Sequence, residues 1–268
     1  MVLTILGFGE NLREELLLLT LFFCSSICVL YFVCEFFVLF SRRREAKIQQ
    51  TRSTIQSLIV ESVFDEERLE ENITALKELN THAGVKSMSK RRRYFLRQLM
   101  MDEMLLIKKN ISGTGLTTLY ELYKGMRLYD DSFRKINSRY YHYIVLGLRE
   151  LSEMNYADCQ PVITSLVNHK NRDVRIEAQL AMVRLWGSEG LKFLSTIEYD
   201  ISEWQQMTML QLLHTETQRP AGIQEWLSSP HESVIVFALR LLEKYNCFDL
   251  IDDLYGLFNH RSEKVRIQ

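Results

Sequence analysis

The chain has 268 residues, close to half of them apolar, and its 33 Lys and Arg nearly cancel its 34 Asp and Glu. That balance removes the electrostatic case for a nucleic-acid binder, and 11 glycines with 3 prolines are few for a chain of many tight hairpins. Cys24, Cys28 and Cys34 share one apolar run while Cys159 and Cys247 stand far apart, which is no disulfide framework and suits a reducing compartment.

After a short N-terminal stretch, 1–15, residues 16–40 read LLLLTLFFCSSICVLYFVCEFFVLF, 25 residues without Lys or Arg. As a helix this run would extend about 37 Å, enough for a hydrocarbon core of about 30 Å with some tilt. It predicts a single transmembrane helix, with the lipid bilayer as its partner. A cleaved signal peptide would need a basic start and small residues at its end. Here Glu10, Glu14 and Glu15 precede the run, and bulky Phe, Val and Leu lead into Ser41. Arg42, Arg43, Arg44, Lys47 and Arg52 follow the run, against Arg13 alone before it. The positive-inside rule therefore places the N-terminus outside and the large C-terminal part in the cytoplasm. Arg42, Arg43 and Arg44 would then lie level with anionic lipid headgroups. The N-x-S/T triplets at Asn72 and Asn110 would meet no glycosylation enzyme on that side. Glu35 is either an intramembrane contact or a side chain that reaches the headgroup layer from five residues inside the end of the run.

Residues 41–80 read as a basic helical stalk. Ile48, Arg52, Ile55, Ile59 and Val63 fall on one stripe. A second helix is predicted over 65–79, with Leu69, Ile73 and Leu76 on one face. Glu66, Glu67, Glu70 and Glu71 stand near its start, where they suit the positive end of the helix dipole. Residues 81–115 hold a linker, 81–89, and then a helix ending near Asn110. That helix opens on the basic run Lys90, Arg91, Arg92, Arg93, which is either a solvated face or a contact with anionic headgroups. No zinc, RNP or helix-turn-helix signature accompanies it, so no nucleic-acid partner is expected.

From residue 116 to 268 the chain repeats itself. Ile163, Phe193, Ile223 and Leu254 form one apolar column at steps of 30, 30 and 31 residues. Val167, Ile197, Leu227 and Phe258 form a second, and Val174, Trp204, Val234 and Val265 a third. Each unit reads as a helix, a short turn and another helix. Val174, Ala178, Ala181 and Leu185 make one helical face, as do Val234, Ala238, Leu241 and Tyr245. The small Ala lets the paired helix come close. An earlier second helix carries Ile144, Leu148 and Leu151, but its partner around Leu116 and Tyr123 is out of register and reads as a divergent cap. Thr208 and Gln211 weaken the unit around Trp204.

Residues 165–185, SLVNHKNRDVRIEAQLAMVRL, resemble a short HEAT repeat: an apolar helix, a polar turn, then Asp173-Val174-Arg175 and Ala178. Asp173 is placed to cap the second helix. LFNHRSEKVRI, 257–267, repeats the turn. The expected fold class is therefore all-α, a transmembrane helix followed by a HEAT-like solenoid. The whole layout is similar to a group of uncharacterised bacterial membrane-anchored HEAT-repeat proteins. That resemblance implies a scaffold in a bacterial inner membrane, beside envelope glycosyltransferases, and no catalytic residues. Tetratricopeptide and ankyrin patterns are missing.

The chemistry-bearing residues point the same way. A helical-repeat metal enzyme would need several His-Glu pairs, and the chain has one, His231-Glu232, in a turn. His169 and His260 occupy equivalent turns and read as turn packing or capping groups. H-E-x-x-H, G-x-S-x-G and phosphate-loop motifs are missing. No catalytic, cofactor or metal-binding residue is assigned. The expected function is a membrane-tethered scaffold for a protein partner. The alternatives are a membrane subunit acting through its span or a helical-repeat metal enzyme. Ile176, Leu180 and Val183 lie on the side of their helix away from the core stripe, so either neighbouring repeats cover them or they dock a partner. The last repeat stops at Gln268 after a short second helix, which suggests an array continuing beyond the given chain.

Overall fold

A computed structural model describes residues 2–81 and 89–268, and these are helical with no strand among them. The expected linker at 81–89 falls almost wholly outside the described residues. The chain divides into two units, Met1–Ser57 and Leu58–Gln268.

The first unit is a length of helix α1, which runs over Val2–Phe64. This helix is long and apolar enough to cross a membrane. Every residue across 19–40 is exposed, as befits a helix apolar on all sides with no inward face of its own. The Ser25 hydroxyl turns inward to the helix and donates to the Phe22 carbonyl at 2.8 Å, the kind of bond a polar side chain needs in hydrocarbon. Arg42, Arg43 and Arg44 continue the same helix and are exposed.

The second unit begins with the end of α1, where Ile59 and Val63 are buried. A 3-10 turn, Glu66–Arg68, then leads into α2 (Leu69–Thr81). Ile73 and Leu76 are buried on the expected face, and Asn72, the asparagine of one of the two N-x-S/T triplets, is buried too. Helices α3 (Lys90–Lys108) and α4 (Thr114–Gly125) pack against α2 and against each other. Ser89 caps α3 by accepting the Arg92 amide.

The partner of helix α6 (Tyr141–Glu153) is not the segment around Leu116 and Tyr123. It is α5 (Tyr129–Ile136), which the apolar columns did not reveal. Phe133 stands 30 residues before Ile163 and packs against the core, so the first column extends to this unit. The second column breaks there, because its place is taken by exposed Asn137 while Ile136 turns inward. The two helices touch at Gly147, where a Cβ would stand 2.5 Å from the Ser132 carbonyl oxygen.

The remaining units differ from the expected helical hairpin in their first halves. These are short helices and 3-10 turns: α7 (Gln160–Thr164) behind a turn at Ala157–Cys159, a 3-10 segment at Gly187–Thr196, α10 (Ile223–Trp226), and α12 (Ile251–Leu254) followed by Tyr255–Asn259. They still bury Ile163, Val167, Phe193, Ile197, Ile223 and Leu227. Leu254 is half-buried and Phe258 is exposed. The second halves are α8 (Arg172–Trp186), α9 (Glu203–Leu212), α11 (Glu232–Tyr245) and α13 (Glu263–Ile267). They pack in sequence, α6 on α8, α8 on α9, α9 on α11 and α11 on α13.

Most of these second helices start the same way. The side chain two residues before the N-cap accepts the cap residue's own amide, which would otherwise be an orphan donor. Ser138 does so for Tyr140 at 3.2 Å, and His169 Nδ1 for Asn171 at 3.1 Å. Ser229 does so for His231 at 3.2 Å, and His260 Nδ1 for Ser262 at 3.1 Å. Beside the two histidines a guanidinium grips the histidine carbonyl, Arg175 at 2.8 Å and Arg266 at 2.6 Å. Asn171 rather than Asp173 caps α8, its Oδ1 accepting from Asp173 and Val174 at 3.1 and 3.2 Å. Asp173 sits in the first turn, where its charge faces the positive end of the dipole.

Helix α9 starts differently and shifts the register. Ser202 and Gln205 form a reciprocal capping box, each side chain serving the other's backbone amide. The caps fall at Asn171, Ser202, His231 and Ser262, so α9 begins one residue later than a uniform 30-residue step from Asn171 would put it. Counted from the caps, the inward column is Val174, Gln205, Val234 and Val265, and all four are buried. Trp204 therefore leaves the column and is 63% exposed. Thr208 and Gln211 are not core positions either; Met209 and Leu213 are, and both are fully buried.

Candidate functional site

A shallow cleft of about 430 Å³ opens where the N-terminal turns of α6, α8 and α9 come together. Tyr141 and Val145 line it from α6, Ile176 from α8 and Trp204 from α9. Each reaches the surface for a local reason. Tyr141 follows directly on the α6 cap and meets His169 edge-on at 5.9 Å. Ile176 lies on the flank of α8 beside its buried stripe. Trp204 is turned outward by the late start of α9.

Charged groups frame the apolar part. Arg149 donates to Glu177 at 2.9 Å, and Arg184 approaches the other Glu177 oxygen at 3.6 Å. Arg184 also reaches Glu153 at 3.4 Å, which Lys108 holds at 2.6 Å. Burial works to raise the Glu153 pKa, but Lys108 and Arg184 more than offset it and hold the carboxyl below its usual range. This chain of ion pairs fixes α3, α6 and α8 behind the cleft.

Of the three residues that the sequence offered as a docking stripe, Ile176 is half-exposed and lines the cleft. Leu180 and Val183 are buried in the main core, 4% and 1% exposed, because the neighbouring elements cover that side of α8. Those two side chains are not available to a partner. Trp204 and Tyr141 take their place at the surface. The sequence carried a signal for Trp204: Ser202-Glu203-Trp204-Gln205 is a capping-box pattern that sets the helix start one residue late.

Among the described residues no group of three or more His, Cys, Asp and Glu side chains is placed to hold a metal ion. Cys159 is buried and donates to the Tyr156 carbonyl. Burial pushes its thiol up to about 12, away from the thiolate a nucleophile needs. Lys90 and Arg93 belong to a second, cationic groove along α3. Compared with known proteins, the sequence matches no family model and no curated protein.

Proposed function

We propose that this chain is a membrane-tethered scaffold: α1 anchors it, and a HEAT-like solenoid built from α5 onward binds another protein at the cytoplasmic face. The observation that carries this reading is the cleft of Tyr141, Ile176 and Trp204, an exposed tryptophan beside an exposed tyrosine across three consecutive second helices. Tryptophan and tyrosine are the residues on which protein interfaces most often depend. The repeated cap and the in-sequence packing of second helices support a solenoid, whose surface grows with each unit. The apolar helix and the basic residues after it support the anchor and its orientation. The resemblance seen in the sequence adds the bacterial inner membrane as the setting and an envelope glycosyltransferase as the class of partner to look for first.

A photo-crosslinking residue in place of exposed His142 on the cleft rim, in the full chain and in native membranes, tests the reading. A discrete protein adduct is expected, and Trp204→Ala should lower recovery of that same protein about 30-fold, the cost of a strong hot spot. The melting temperature should stay within about 1 °C, since surface substitutions are nearly neutral. Undiminished recovery with Trp204→Ala and Ile176→Glu together would remove the cleft from the function.

A further inference from the structure

Two pockets meet along α3 and α5, sharing Tyr94, Arg97, Asp131 and Arg134. The first, about 740 Å³, is lined by Lys77, Lys90, Arg93, Arg97, Arg127 and Arg134. Its carboxylates are already engaged. Asp130 pairs with Arg127 at 3.1 Å, and Asp131 with Arg134 at 3.1 Å and with Arg97. Arg97 is also fixed by the carbonyls of Met126 at 3.2 Å and Arg127 at 2.7 Å, so it forms a rigid wall. Lys90 and Arg93 make no side-chain hydrogen bond or ion pair among the described residues. The lobe therefore holds a surplus of positive charge, with two long cations unpaired among the described residues. Guanidinium forks and ammonium groups in such a setting match the oxygens of a phosphoryl group.

The second lobe, about 440 Å³, has a different character. Phe95, Met101, Leu128 and Tyr143 line it, and Phe95 and Tyr143 are 47% and 44% exposed. The charges at its floor cancel: Lys135 grips Glu150 at 2.5 and 2.6 Å. Arg134 lies over the Tyr94 ring at 4.5 Å, marking the border between the lobes. A solvated basic helix face would explain Lys90 and Arg93 but not the aromatic lobe joined to them.

We propose that this double groove binds a phosphorylated amphiphile, its phosphoryl group among the cations of the first lobe and its apolar part against Phe95 and Tyr143. Inorganic phosphate alone is the rival occupant, and the two are separable. The full chain, held in discs of zwitterionic lipid, is titrated calorimetrically with dihexanoyl phosphatidic acid, dihexanoyl phosphatidylcholine and inorganic phosphate, with empty discs as the blank. Phosphatidic acid should bind at least about tenfold more tightly than inorganic phosphate, consistent with burial of its apolar part, and phosphatidylcholine, whose phosphodiester charge is cancelled by its choline cation, should bind far more weakly than phosphatidic acid. Lys90→Gln and Arg93→Gln should each weaken phosphatidic acid binding about fivefold. Both side chains are exposed, so folding is spared. Phe95→Ser should bring phosphatidic acid down to the level of inorganic phosphate and leave inorganic phosphate unchanged. Equal binding of phosphate and phosphatidic acid would overturn the amphiphile. Equal binding of phosphatidylcholine, or no effect of the two glutamine variants, would overturn the phosphoryl site.

Discussion

Glu150 is fully buried on α6, and its carboxylate collects Lys135, the Ser132 hydroxyl at 2.7 Å and Gln98 at 3.1 Å. Such a pair costs desolvation on both sides, so deleting one partner and replacing both together should behave differently. Glu150→Ala should destabilise by about 3 kcal/mol, because it strands the Lys135 charge. Lys135→Met with Glu150→Leu should cost much less, and urea melts of the three chains would show it; equal losses would mean the network itself carries the stability. Val183 raises the same question with apolar chemistry. It is as deeply buried as Ala178, so Val183→Glu and Ala178→Asp should both lose more than about 3 kcal/mol by burying an unpaired carboxylate. Retained melting temperature in Val183→Glu would return that residue to the surface.

Whole elements are legible in the sequence where one spacing dominates. The apolar run of α1 has no alternative pattern, and α8 and α11 show two turns or more of a single inward face, so spacing alone suffices to place these helices. The misses share a cause: periodic columns assume equal repeat lengths, whereas helix starts are set by local capping. In α9 one extra residue before Ser202 moves the inward position from Trp204 to Gln205. Gln205 satisfies its amide by donating to Gln179 at 2.9 Å, and Gln179 donates to the Val167 carbonyl at 2.9 Å. A polar residue inside an apolar column leaves no trace in apolar periodicity. Helix α5 leaves only half a trace, Phe133 in the first column, because Asn137 holds its place in the second. The first half-repeats look like full helices in sequence because apolar spacing alone does not separate a helix from a 3-10 turn of similar burial. If the capping box sets the register of α9, Ser202→Ala should cost about 1 kcal/mol. It should also weaken partner recovery more than that loss explains, since Trp204 depends on where the helix begins. Unchanged recovery in Ser202→Ala would show that the packing of Met209 and Leu213 fixes the register without the cap.

At the scale of the molecule, the division of labour between α1 and the repeats can be tested directly. If α1 serves as a tether, its sequence matters only through length, apolarity and the basic residues after it. Its contribution is then the raised effective concentration of a weak contact. Replacing residues 19–40 with an unrelated apolar helix, and keeping Arg42, Arg43 and Arg44, should leave partner recovery unchanged while Trp204→Ala lowers it about 30-fold. Orientation is checked in the same chains. Cys159 and Cys247 are buried and out of reach of a thiol reagent, so Lys192→Cys, at a side chain 72% exposed, supplies the label site. With Cys24, Cys28 and Cys34 changed to Ala, an impermeant thiol reagent should label it only after the membrane is opened. Labelling in intact cells would place the repeats outside. If the replaced span loses the partner while Trp204→Ala keeps it, the working surface is the span itself, and Glu35, exposed amid its apolar neighbours, becomes the first residue to test.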